Sequence, residues 1–364
     1  MKKVLNINND NNIKGNYPAF LGDTLGYADT INVTYPEIYE MHLRQRSFFW
    51  TEQEIPLTQD RKDLEEMDKS QRDVMMLNLF AQWLIDSLAA KSVLSTFEPF
   101  ISNNEIYSLL STQSYFEGIH AATYSEIVKN CFKYSNEALE QAKKDVMVTY
   151  RSKVIGDVFQ KTREIGLRYS MGEKFDEKFL KQQIIKNLAA LYGLEAISFM
   201  ASFACTFALT QTGKCQGIDK SVGMIARDER EHAEGDRLIF NVLMNKESGY
   251  KEAFNDCKQE IQQIFDEIVK QEFKWSEYIF QDGRKVLGLN EDNLKQYVLF
   301  NAKVCYDYLG LDWTYGDVPK TNPLPYMSQY IDMDGVQTAP QELEGNNYRV
   351  AQVDNDLTDV EFDF

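Results

Sequence analysis

Three histidines occur in the 364-residue chain: His42, His120 and His232. Two of them carry a glutamate three residues earlier, in Glu117-Gly-Ile-His120 and Glu229-Arg-Glu-His232, whereas His42 has Tyr39 there. Glutamate occupies any one position by chance roughly once in ten or fewer, so the shared spacing points to a shared task. On a helix, residues three apart lie one turn apart on one face, where both can reach a single ion. Both pairs also fall on apolar stripes. One runs Leu110, Gln113, Glu117, His120, Tyr124, Ile127, and the other Ile218, Val222, Ile225, Glu229, His232, Ile239, Leu243. Ionised groups on such a stripe are too costly to bury alone. Two core histidines, each bonded only to its own glutamate, are the plainer alternative, and the repetition of the motif weighs against it.

Two further carboxylates sit on apolar stripes. Asp86 follows Met76, Leu79 and Trp83 and precedes Ala90 and Val93, while Glu195 lies among Leu188, Leu191, Tyr192, Phe199 and Ser202. Either one alone reads as an acid tied to a nearby Arg or Lys. Together the set is four carboxylates and two imidazoles from four helices, the pattern of ferritin-like dimetal proteins. Oxygen-rich ligands with one histidine per metal suit iron or manganese, and the lack of thiolates argues against zinc or an iron–sulfur cluster. Four carboxylates would neutralise two divalent ions and so make their burial tolerable. Tyr124 stands one turn after His120. Among 20 tyrosines simple packing is the default, but Phe199, Phe203 and Ile225 are expected at the same level. A phenol beside a metal pair in such a dry pocket could hold a one-electron oxidised state.

These residues need long helices to hold them. Proline is absent from Phe100 through Val318, which permits uninterrupted helices. The periodicity predicts helices at roughly 70–95, 103–131, 136–170, 178–211, 219–245, 251–284 and 291–309, several longer than the usual eleven or twelve residues. Ser70 with Asp73 and Ser102 with Glu105 resemble capping boxes. Strand-like alternation is nearly missing, and residues 214–220 read as a turn. The expected fold is all-α, a ferritin-like bundle with a dimetal carboxylate site in its core. Residues 1–35, rich in Asn and Gly, read as an arm. Residues 36–318 read as the helical domain. Residues 319–364, with Pro319, Pro323, Pro325 and Pro340 and an acidic end, read as an extended tail.

Composition narrows the partners. Hydrophobic residues make up 43 % of the chain, enough for a substantial core. With 39 Lys+Arg against 56 Asp+Glu the net charge is −17, which disfavours nucleic acid or an anionic membrane as partner. The two lysines near the start precede no apolar run, so no signal peptide is expected, and no long apolar stretch predicts a membrane span. Five scattered cysteines without a C-x-x-C pair fit reduced thiols in a cytoplasmic protein.

The segments LIDS with Asp86, FEGIHAATYSEI with Glu117, His120 and Tyr124, LEAISFMASFACTF with Glu195, and MIARDEREH with Glu229 and His232 resemble the small, radical-generating subunit of class I ribonucleotide reductase. SFFW ending at Trp50 and the tail APQELEGNNYRVAQVDND extend the resemblance over nearly the whole chain. An aspartate on the first metal helix also matches that family and departs from ferritins and most di-iron oxygenases. The resemblance implies that Asp86, Glu117 and His120 bind one iron and Glu195, Glu229 and His232 the other, with Glu117 and Glu229 able to bridge; manganese is the alternative metal. It implies that O2 and the reduced pair oxidise Tyr124 to a radical, which a homodimeric small subunit passes to a large catalytic subunit for ribonucleotide reduction. Trp50, in contact with Asp228 and through it His232, would be the exit from the metal site. Tyr348 would relay at the interface, and the C-terminus would dock the partner; Glu54 and Glu344 are weaker candidates of the same kind. Family members carry Ser-Arg-Ser between the histidine and the tyrosine, where this chain has Ala121-Ala122-Thr123, and little consequence is expected. The presence of Tyr124 disfavours the family's phenylalanine variant with its mixed metal pair. An oxygenase or desaturase acting in its own pocket and a metal-storage bundle are the competing readings. The first would work without the tail, and the second normally uses a shorter chain.

Overall fold

The computed structural model describes residues 3–15 and 17–331. Tyr348 and Glu344, and with them most of the expected tail, lie outside the described residues. The chain forms α1 (Pro36–Ser47), α2 (Thr58–Glu66), α3 (Lys69–Phe97), α4 (Asn104–Cys131), α5 (Ser135–Lys144), α6 (Val146–Arg151), α7 (Lys153–Ser170), α8 (Glu177–Gly193), α9 (Phe199–Thr210), α10 (Gln216–Asn245), α11 (Tyr250–Ile279), α12 (Glu291–Leu309) and α13 (Ser328–Ile331). A π-helical turn, Leu194–Ser198, joins α8 to α9. Among the described residues the only β features are two isolated bridges, Phe20 with Ile101 and Val286 with Leu289.

Four of these elements close a ring. α3 packs on α4, α4 on α10, α10 on α9, and α9 back on α3. The ring is a four-helix bundle, and its inner faces meet where Asp86, Glu117, His120, Glu195, Glu229 and His232 project. The helix running from Glu177 to Thr210 through the π turn is apolar enough by length and composition to cross a membrane, but 94 % of its most apolar stretch is buried inside the protein. It is the central core helix of the bundle.

Several local expectations change. The long helix expected over 136–170 is three, broken at Asp145 and Ser152. Asp145 stops α5 and caps α6, its carboxylate accepting from the amides of Met147 and Val148 at 2.9 and 3.2 Å. The two capping boxes are absent as read. Asp68, not Ser70, caps α3, accepting from Ser70 N at 2.8 Å, and Asn103 caps α4, accepting from Ile106 N at 3.0 Å. Ser102 instead donates to Pro18 O and accepts from Gly22 N, tying the N-terminal stretch to the α3–α4 turn. The core face of α3 is rotated from the expected stripe. Gln82, Asp86, Ala89 and Val93 are buried, while Met76, Trp83 and Ala90 are only half-buried. α1 and α2 carry no periodic signal strong enough to predict them, because both are rich in charged and polar residues and few of their side chains are buried.

α10, which carries Glu229 and His232, has no side-chain N-cap of its own. Cys215 precedes it with φ of +56°, and the carboxylates of α2 take the cap's place. Asp63 Oδ2 accepts from Cys215 N at 2.8 Å and Asp60 Oδ1 from Ile218 N at 2.7 Å. They satisfy free amides and place negative charge at the positive end of the helix. A Cβ on Gly217 would lie 2.5 Å from Asp60 Oδ2 and 2.7 Å from Pro56 O, so glycine is required for this approach. Asp60→Ala is expected to cost about 1 kcal/mol, as loss of a cap does, read as a lower denaturant midpoint at unchanged slope.

Candidate metal centre

α3 supplies Asp86, α4 supplies Glu117 and His120, the π turn supplies Glu195, and α10 supplies Glu229 and His232. All six are buried to within 2 % of complete. His120 Nδ1 lies 2.9 Å from Glu229 Oε1, 3.4 Å from Asp86 Oδ1 and 3.7 Å from Glu117 Oε2. His232 Nδ1 lies 3.0 Å from Glu117 Oε1 and 2.8 Å from Glu229 Oε2. The donor atoms form two groups, each within 4.8 Å: Asp86, Glu117, His120 and Glu229, and Glu117, Glu195, Glu229 and His232. Glu117 and Glu229 belong to both.

The protein satisfies few of these atoms. Both oxygens of Asp86 and of Glu117, Glu195 Oε2, Glu229 Oε1 and His120 Nδ1 are buried without a well-aligned hydrogen bond, the imidazoles and carboxylates meeting only one another as ion pairs. Buried polar atoms are nearly always paired, so a cluster of orphans aimed at one point fits a set of cations. The electrostatics agree. Burial, with Glu229 and Glu117, pushes the Asp86 carboxyl well above the usual range against the pull of His120. Burial also raises Glu195, and Glu229, Glu117 and Asp236 add to it. Burial would depress the His232 imidazole, but Glu229 and Glu117 outweigh it and lift it to about 10. His120 is raised in the same way, Glu229 acting most strongly against burial. Burial would raise Glu229, but the two imidazoles pull it below the usual carboxylate range. The cluster thus gathers positive charge onto its imidazoles, which two divalent ions would supply without any proton. Hard oxygen donors with one imidazole for each ion suit iron or manganese.

Tyr124 is 0 % exposed. Burial and then the charges of Asp86, Glu229 and Glu117 push its phenol well above the ordinary range, so it stays neutral and protonated beside the cluster. Thr123 donates its hydroxyl to Ile119 O on its own helix at 2.8 Å, which leaves the cluster untouched.

Trp50 is wholly buried, and its indole Nε1 donates to Asp228 Oδ2 at 2.7 Å. The same oxygen lies 3.2 Å from His120 Nε2. The expected link from Asp228 to His232 is therefore corrected: the bonded imidazole is His120, across the helix interface. His232 Nδ1 is turned toward Glu117 and Glu229, and the side chain of Asp228 points from α10 at α4 rather than along its own helix. Arg227 holds the other carboxylate oxygen at 3.1 and 3.0 Å and donates to Phe48 O at 2.9 Å. Glu54 accepts from Thr51 N at 2.8 Å.

Asp236 was not anticipated from the sequence. It is 0 % exposed, both its oxygens lack a partner, and burial raises its carboxyl well above the usual range against the pull of His232. It stands one turn beyond His232, in the gap of the α10 stripe before Ile239. Extending Glu229 and His232 by one further turn would have found it.

A family model described as the small chain of ribonucleotide reductase matches residues 28–323. The ribonucleoside-diphosphate reductase subunit beta of Buchnera aphidicola from Schizaphis graminum is 30 % identical over 359 residues, covering 95 % of this chain and 94 % of that protein. The subunit beta of enterobacteria phage T4 is 30 % identical over 366 residues, with 94 % of each covered. In fold, the chain superposes on the ribonucleotide reductase R2 subunit of Clostridium botulinum with a TM-score of 0.75 at 21 % identity, covering 86 % of this chain and 93 % of that one. The dimanganese(II)-NrdF of Streptococcus sanguinis gives a TM-score of 0.67 at 15 % identity, covering 84 % and 98 %.

Proposed function

Because the chain belongs to the ribonucleotide reductase small-chain family, we propose that it is the radical-generating subunit of a class I ribonucleoside-diphosphate reductase, with the radical on Tyr124. The observation that carries this reading is the Tyr124 phenol, wholly buried beside orphaned atoms of Asp86, Glu117, His120, Glu195 and Glu229. Asp86, Glu117 and His120 would hold one iron and Glu195, Glu229 and His232 the other, with Glu117 and Glu229 shared; manganese fits the same donors. When bound, the pair supplies O2 activation for a one-electron oxidation, which side chains cannot perform alone.

The chain's own residues do the rest. Tyr124 gives up one electron and its hydroxyl proton, and Asp86, the carboxylate acting on it most strongly, is placed to take that proton. Packing at 0 % exposure keeps water and reductants from the oxidised ring. The Trp50–Asp228–His120 hydrogen-bonded chain connects the cluster toward the surface, where a large catalytic subunit receives the radical. Tyr348 and the C-terminal residues would relay and dock there, and the small subunit would work as a homodimer in the cytoplasm, that of a host if the gene is viral. Residues 1–35 would serve as an arm and 319–364 as the docking tail around the 36–318 bundle.

An oxygenase acting on an organic substrate is the second reading. The crevice lined by Gln45, Phe48, Phe116, Asp228, Glu231 and His232 has no room even for a water molecule, whereas small-molecule sites typically span ~300 to 1,000 Å3. The two readings separate on truncation. A chain ending at Gln341, loaded with Fe(II) without O2 and then exposed to it, is expected to form the protein radical yet give no nucleotide reduction with the large subunit. Loss of the radical itself would count against a docking role for the tail.

A further inference from the structure

Away from the cluster, the bundle buries an arginine almost completely. Arg151, at the end of α6, is 1 % exposed and its ion-pair partner Glu272 of α11 is 0 % exposed. Arg151 Nε donates to both Glu272 oxygens at 2.8 and 3.0 Å, and Nη2 donates to Glu272 Oε2 at 2.6 Å. Its guanidinium carbon lies 4.9 Å from the centre of the Trp275 ring. The break at Ser152, which the periodicity did not predict, is what lets this side chain turn inward.

Of the three N–H groups left on the guanidinium, two go to one place. Nη2 donates to Ser198 O at 2.6 Å and Nη1 to Ser202 Oγ at 2.5 Å. Ser198 is the last residue of the π turn, and Ser202 lies in the first turn of α9. From the other side, Asn78 of α3 donates to Ser202 O at 2.9 Å. The π character of the turn is explicit: Phe199 N reaches back five residues to Leu194 O. Such turns are rare, occur mostly as single turns inside α-helices and are frequent at functional sites. Relaxation to ordinary winding would displace one residue by about 100° around the axis. Either Glu195 would then leave the metal face, or the Phe199–Phe203–Phe207 stack would leave the core behind it.

We infer that Arg151, held by Glu272, is a positioning residue for the metal centre: its guanidinium fixes the widened turn that carries Glu195. A buried ion pair is weak evidence for stability, since apolar residues of similar size often serve as well. What methionine could not do is donate to Ser198 O and Ser202 Oγ. The inference rests on the reading that Glu195 binds metal, and it concerns the ion bound by Glu195 and His232 more than the one bound by Asp86 and His120.

Two variants separate positioning from stability. Arg151→Met with Glu272→Met keeps the packing and removes the donor. Glu272→Gln keeps the donor and leaves the buried cation without its counter-charge. Mn(II) is titrated anaerobically into full-length protein, read by calorimetry and by electron paramagnetic resonance, alongside thermal melting. The unmodified protein should bind two ions and show a coupled-pair spectrum; if it binds none, the metal reading itself is at fault. The double variant should bind one ion nearly as before and the second about 10- to 100-fold more weakly, the range for lost support of a ligand, with the six-line signal of an isolated ion. Glu272→Gln should melt lower yet retain the coupled pair. Two ions bound normally by the double variant, or loss of the second ion that follows melting temperature rather than the donor, would overturn the inference.

Discussion

Tyr124→Phe is expected to abolish both the protein radical and nucleotide reduction while leaving metal binding at two ions. Phenylalanine fills the same buried space, and the hydroxyl it removes meets the Asp86 carboxyl of the cluster rather than the surrounding bundle, so the fold loses little. What disappears is a group beside the cluster that yields an electron together with a proton. Its phenol is held neutral by burial and by Asp86, Glu229 and Glu117, so oxidation must release that proton, and phenylalanine has none to give. Anaerobic Fe(II) loading followed by O2 should give a sharp organic signal by electron paramagnetic resonance in the unmodified protein and none in the variant. An equal signal in Tyr124→Phe would move the radical to another of the tyrosines. Full metal oxidation with no organic radical in the unmodified protein would favour the oxygenase or storage readings.

Trp50→Phe is expected to separate making the radical from using it. The variant keeps an aromatic ring in a fully buried place but loses the Nε1 donor to Asp228. Asp228 retains Arg227 on its other oxygen, so the charge stays paired and the stability loss should be near the ~1 kcal/mol of one hydrogen bond. Turnover with the large subunit should fall to the level seen without the small subunit, while the Tyr124 signal still forms. Asp228→Asn tests the same connection from its middle. It removes the charge between Trp50 and His120 and should also depress turnover by far more than radical yield. Undiminished turnover in both variants would remove this route from consideration.

The clustering of the six candidate ligands was legible in the sequence because helical spacing puts each Glu–His pair on one face. Glu117 with His120 and Glu229 with His232 repeat one pattern, and all six predicted side chains converge on the bundle axis. Less could be read where contacts are made between distant segments. The Asp228–His120 bond crosses from α10 to α4, and spacing along α10 suggested His232 instead. The π turn at Glu195 left no trace in the periodicity, because its cause is a guanidinium 47 residues earlier in the chain. α1 and α2 are mostly polar, so they showed no stripe; α2 is held by carboxylates capping another helix. Asp236 hid for a simpler reason, being one of several acids in a helix that already contained the expected pair.

The segment between α1 and the end of α2 is fastened to α10 at both ends. Arg44 pairs with Glu231 at 2.5 Å and Gln45 donates to Glu231 O at 3.0 Å, while Asp60 and Asp63 hold the first amides of α10. This strap therefore cannot open without exposing the start of a ligand-bearing helix, and the two should behave as one cooperative unit in local unfolding. Native-state hydrogen exchange should show the amides of Cys215 and Ile218 slowing together with those of the strap. Asp60→Ala should speed both sets. Slow exchange at Ile218 with a freely exchanging strap would show that the two open separately.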